Sequence, residues 1–255
     1  MNVDNRQKGK GKGNRSLFPI WLFPISLFLQ AAFRIAEKDL RTEFRRSYEV
    51  LSILSFSVGS ILICSFAWSV GSVGSEPEVA AAALWIIIFF ASILAFTTSF
   101  TREADSGTLG GLKTLPCSPL AILFGKIIYG IVLLFLVECV LIPFSIIFLN
   151  LDLSGRFPAL LLVCLLGAVG LSFAGSFVSG LVMFSEGKTL LLSFLLIPVC
   201  MPVLLPSVVA TKEIIGGSGI DEVMPEVMLA LKLLIAFLFL ITAIMILTFE
   251  FVLEE

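Results

Sequence analysis

The sequence has no histidine in 255 residues, and that absence excludes much chemistry. Neutral imidazole cannot act as haem ligand, zinc ligand or general base, so no Ser/His pair and no histidine-held metal centre is available. Charge is scarce as well: 14% of residues are charged against 58% hydrophobic, too little polar surface to cover a soluble domain. The five cysteines, Cys64, Cys117, Cys139, Cys164 and Cys200, are scattered. Without CxxC or a Cys/His cluster no metal or redox role is expected, and without CxxCH the chain is not itself a c-type cytochrome. No GxxxxGK[ST] phosphate loop occurs, so any nucleotide hydrolysis belongs to another chain. Carboxylates at glycosidase or aspartic-protease spacing are not evident, which argues against a membrane-embedded hydrolase. The expectation is a non-catalytic membrane protein with no directly bound cofactor and no nucleic-acid partner.

What is present is lipid-soluble chain with lopsided charge. Ten of the 17 Lys and Arg residues lie before position 50, which by the positive-inside rule places the N-terminus in the cytoplasm. Residues 1–16 are basic and Gly-rich and are expected to stay unfolded. Residues 17–29 are apolar with Pro19 and Pro24 among them, short for a span, and are read as an extension, a signal-like segment or an extra span. From Leu29, the residues Phe33, Ala36, Leu40, Phe44 and Tyr48 recur every three or four positions as one helical stripe. Arg34, Lys38, Arg41 and Arg45 keep the same spacing on a neighbouring face. This is the pattern of a helix lying in the membrane plane with its cations toward lipid phosphates.

Six apolar segments follow: Leu51–Val70, Val79–Phe100, Leu120–Leu149, Pro158–Phe184, Leu190–Ala210 and Val227–Phe251, each about the 20 residues a span requires. The predicted fold is all-α and polytopic, with six transmembrane helices. The predicted organisation is an extension over 1–27, an amphipathic interfacial helix over 28–49 and a transmembrane domain over 50–255. Arg102, Lys113, Lys126 and Lys188 fall on the N-terminal side and only Arg156 and Lys212 on the other. Both termini are therefore expected in the cytoplasm of a multi-pass plasma-membrane protein. The connection Thr211–Glu226 is read as a solvated external cap.

Several features can carry function. The fourth span repeats small residues at Ala168, Ser172, Ser176 and Gly180, a face for close helix packing or, alternatively, a hydroxyl-lined track. The fifth carries Pro198, Pro202 and Pro206 at four-residue steps, and is expected to kink or break; this is a gating helix or a static bend. Glu138, inside the third span, is a candidate intramembrane polar site, or a protonated or hydrogen-bonded structural carboxyl. The segment TREADSGTLGGLKTLPCSPL after the second span is the most specific stretch. Ser106 is a reasonable cap for a brief helix through Thr108, Leu109 and Leu112, ended by Pro116. Such a helix suits docking on a soluble partner; the plainer reading is a solvated turn.

That segment, with ExDSGTL over Glu103–Leu109 and LxxLPxSP over Leu112–Pro119, resembles the haem exporter protein B family of c-type cytochrome maturation. ALWIIIFFASILAF before it, Gly125 and Lys126 after it, LNLDLSGR at 149–156 and LLSFLLIPVCMPVLLPSVVAT at 191–211 resemble family blocks in the same order. The resemblance covers about residues 28–251 and departs at Gly110, where members commonly carry a glutamate. It implies a permease of the type-two ABC exporter class, driven by a cytoplasmic ABC ATPase that uses the ATP. Haem is the implied cargo, a haem-handling membrane protein a further partner, and a homodimer the implied assembly. The interfacial helix and the residues Glu103, Asp105, Gly107, Thr108, Leu109, Leu112 and Pro116 would then face the ATPase. Two readings compete: an ion-coupled secondary transporter using Glu138, and a non-transporting scaffold of the cytochrome assembly machinery.

Overall fold

The computed structural model describes residues 25–45, 47–71, 76–105, 119–151, 153, 155–182, 185, 187–217 and 220–252. Among them are seven α-helices and no strands: α1 (Ile25–Arg45), α2 (Ser47–Gly71), α3 (Pro77–Asp105), α4 (Pro119–Phe148), α5 (Phe157–Val182), α6 (Lys188–Gly216) and α7 (Ile220–Val252). Helix is the form that satisfies every backbone polar group within one segment when water is absent. Helices α2 to α7 each contain a stretch long and apolar enough to cross a membrane, six in all. Large apolar side chains such as Ile63, Phe66, Phe194, Phe239 and Leu247 project from the outside of the bundle. In water such a belt would drive aggregation; in lipid it is the solvated surface.

Helix α5 is among the most buried of the spans and touches α3, α4, α6 and α7. Its small residues let it do so. A Cβ on Gly167 would lie 2.1 Å from the Trp85 ring, and one on Gly175 would lie 2.2 Å from the Phe96 ring. Two aromatic side chains of α3 therefore occupy space that only glycine leaves open. Ala168, Ser172, Ser176 and Gly180, the small-residue face read from the sequence, are all buried. The tightest approaches, however, fall on the glycines beside that face. Ser179 adds a hydrogen bond from its hydroxyl to the Phe96 carbonyl at 3.2 Å.

Two expectations change. Helix α6 is unbroken over 29 residues although Pro198, Pro202 and Pro206 lie inside it, so of the expected kink or break the break does not occur. Pro198 and Pro202 are exposed and Pro206 is half-buried, which puts these rings on the outer side of the helix while Val203, Ser207 and Ala210 hold the inner side against the bundle. The helix also passes the expected end at Ala210 and reaches Gly216, and α7 already starts at Ile220. The external cap is thus mostly helix. Thr211 and Lys212 stay helical because each finds a partner on α3: the Trp85 indole N–H donates to Thr211 Oγ1 at 2.9 Å, and Lys212 Nζ lies 2.6 Å from Glu78 Oε1.

Candidate functional site at the α1 end of the bundle

The bundle has two ends. At one, α2 meets α3, α4 meets α5 and α6 meets α7. There Arg156 donates to the Gly217 carbonyl, and the Ser65 hydroxyl of α2 donates to the Phe148 carbonyl of α4 at 2.7 Å. At the other end α3 stops at Asp105, α4 starts at Pro119, and α1 lies against the base of α4.

Three sectors divide α1. Ala32, Ile35, Ala36 and Glu43 are buried, with Asp39 at 11% side-chain exposure between them. Phe33 and Phe44 are exposed on a second sector, and Arg34, Lys38, Arg41 and Arg45 are exposed on a third. A helix placed between protein, lipid and water needs such a threefold division. The apolar stripe read from the sequence is therefore split. Ala36 is buried and Leu40 half-buried, while Leu29, Phe33, Phe44 and Tyr48 are exposed, and Tyr48 belongs to α2. Among the cations, Arg41 pairs with Glu37 at 2.9 Å and Lys38 with Asp39 at 3.2 Å.

The contact with α4 combines packing with charge. Ile35 joins Leu120, Ile122, Leu123 and Ile127 of α4, Phe177 of α5 and Ile241 and Met245 of α7 in one cluster. The Phe28 and Phe124 rings meet edge to face at 5.6 Å, a favoured aromatic geometry. Lys126 Nζ lies 2.8 Å from Asp39 Oδ2, with the lysine side chain only 2% exposed. Sequence reasoning placed Lys126 in a connecting segment and gave Asp39 no role. The available signal was a row at 32, 35, 39 and 43 in which two acids replace apolar residues on the inward side.

The other candidates fall as follows. Glu103 and Asp105 lie in the last turns of α3. Ser106, Gly107, Thr108, Leu109, Leu112 and Pro116 lie outside the described residues, as do residues 1–24. Glu138 is buried within α4, and its Oε1 has no hydrogen-bond partner. It lies in the membrane-spanning part of α4, well away in sequence from the α1 contact at 120–127. Pro198 and Pro202 are on the exposed side of α6, also outside that contact. Among the described residues no group of three His, Cys, Asp or Glu side chains could hold a metal.

Six apolar helices able to span a membrane, and a further helix held to the start of the third of them by packing and an ion pair, now stand beside two comparisons. No curated protein matches the chain. The family described as CcmB protein matches residues 30–252, nearly the whole length of the chain. The chain therefore belongs to the CcmB family, the haem exporter protein B of cytochrome c maturation, and is a multi-pass membrane component of that exporter.

Proposed function

We propose that this chain is the permease subunit of an ATP-driven complex and takes its drive from a separate cytoplasmic ABC ATPase. The observation that carries this reading is the arrangement of the α1 end. The connection 106–118 leaves α3 and returns into α4, and α1 is fixed to that same start of α4 by a buried ion pair. A motor gripping the connection would pull on a span and on the interfacial helix at once. In this reading the α1 end and both termini are cytoplasmic, in keeping with the cations that crowd the first 50 residues. The exposed Arg34, Lys38, Arg41 and Arg45 lie toward lipid phosphates or the ATPase surface. Two copies complete the pathway, and a haem-handling membrane protein supplies or receives haem. The chain itself contributes no catalytic residue; ATP is consumed by its partner.

The test is replacement of Thr108, Leu109 and Leu112 by Asp. The ATPase is expected to be lost from the purified complex while the chain still accumulates in the membrane. Undiminished co-purification would contradict the docking site.

A second reading has its own observation, the buried and unpartnered oxygen of Glu138. Isolated carboxyls at membrane depth ordinarily serve ion or proton traffic. In that case an uncoupler would abolish haem delivery and an inactive ATPase would not. The first reading expects the reverse, which also separates it from a passive scaffold.

A further inference from the structure

The Asp39–Lys126 contact is more than a packing detail, since it places a full ion pair between two helices at a point where little water reaches. Lys126 is 2% exposed and Asp39 11%, and Nζ to Oδ2 is 2.8 Å. If either helix slid or peeled away, Asp39 would lose its closest cation and keep only Lys38 of its own helix, which adds a cost to separation that apolar contact alone does not. Backbone contact reinforces the pair one residue earlier. A Cβ on Gly125 would lie 2.8 Å from the Ile35 Cβ and 2.9 Å from the Ala32 carbonyl oxygen. Main chain thus meets main chain at Gly125, charge meets charge at Lys126, and the Phe28–Phe124 ring pair lies one residue before them. Three consecutive residues of α4 are engaged by α1.

Those residues begin five positions after Pro119, where α4 starts after the 106–118 connection. We propose that Asp39 and Lys126 are positioning residues whose ion pair fastens α1 to the base of α4, so that the two helices move as one lever when the neighbouring connection is driven. The inference rests on the reading that a motor acts at this end. What it adds is the element that carries the motion and the pair that keeps it rigid. A one-turn slip of α1 would bring either Ile35 or Glu43 opposite Lys126, so the charge pairing opposes the slip toward Ile35, while the close approach at Gly125 opposes a slip in either direction.

The experiment uses the full chain in its membrane complex with D39N, K126M and the exchanged pair D39K/K126D. ATPase co-purification is read first, because it belongs to the earlier reading. Both single variants are expected to keep the ATPase and its hydrolysis within about twofold. Holocytochrome c formed per ATP hydrolysed should fall at least tenfold, and the exchanged pair should restore at least half of it. Normal yield in both single variants would overturn the proposal, as would a loss that merely follows loss of the chain from the membrane. A second measurement does not depend on variant stability or on ATP. In a background with the five cysteines replaced by alanine, F28C/F124C is bridged by a short bifunctional thiol reagent, and holocytochrome c formation is measured. Helices that move together tolerate the bridge, so yield is expected to stay within twofold. Inactivation on bridging would show that α1 must move against α4, and would overturn the lever even if the motor reading stood.

Discussion

The two ends of the bundle each join helices through an ion pair of nearly equal length, yet the pairs sit in opposite surroundings. At the α1 end, Lys126 and Asp39 are 2.8 Å apart and almost shielded from solvent. At the far end, Lys212 and Glu78 are 2.6 Å apart with more than a third of each side chain exposed. Distance alone would rank them equal. Burial decides otherwise, because water and salt screen the exposed pair, whereas removing Lys126 leaves the shielded Asp39 carboxylate only Lys38, whose side chain is half exposed, at 3.2 Å. The far end also has a neutral hydrogen bond, Trp85 to Thr211, and a charge-assisted one from Arg156 to the Gly217 carbonyl.

The strongest way to break this comparison is to remove one buried charge. K126M leaves the shielded Asp39 carboxylate with only the half-exposed Lys38 as partner, and should lower stability by about 2–3 kcal/mol, below the roughly 3–5 kcal/mol of a fully orphaned buried charge, read as a drop in the thermal midpoint of the purified chain. The double variant D39L/K126M should recover most of that loss, since a matched apolar pair replaces a buried ion pair at little cost. If it recovered nothing, packing and not charge would dominate at this end. A smaller effect is expected from T211V. It leaves the indole N–H of Trp85 without its buried acceptor, a cost of about 1–3 kcal/mol, again visible in the thermal midpoint. The smallest belongs to E78Q, which should leave the midpoint unchanged at high salt, where screening already removes the pair's contribution. A shift for E78Q as large as that for K126M would erase the distinction between the ends.

Most of the fold was legible because lipid imposes it. A run of about 20 apolar residues without a soluble alternative has to be a spanning helix, and all six were placed, the third and fourth to within two residues at each end and the others with one end off by four to seven. Errors arose where a few polar contacts outweigh hydropathy. Thr211 and Lys212 look like the start of a loop, but partners on α3 keep them in α6. Three prolines look like a break, but the inner side of α6 stays packed while Pro198 and Pro202 are exposed. On α1 the large residues Phe33 and Phe44 dominate the periodicity, yet the side that meets protein consists of Ala32, Ile35, Ala36, Asp39 and Glu43. Alanine and acids carry little apolar signal, so the protein-facing side was hidden in the sequence. The sequence reading also took Ala168 and Ser172 as the packing face of α5, whereas Gly167 and Gly175 admit the aromatic rings. Close approach depends on the missing Cβ, and a stripe at four-residue spacing does not isolate it.

The central claim is that the α1 end faces the cytosol and is where a motor takes hold. A single cysteine at position 109, in a chain otherwise free of cysteine, tests it by labelling with a membrane-impermeant thiol reagent in intact cells and in inverted vesicles, with and without the ATPase. The account predicts labelling only in inverted vesicles and protection when the ATPase is bound. Labelling of position 109 in intact cells would contradict it.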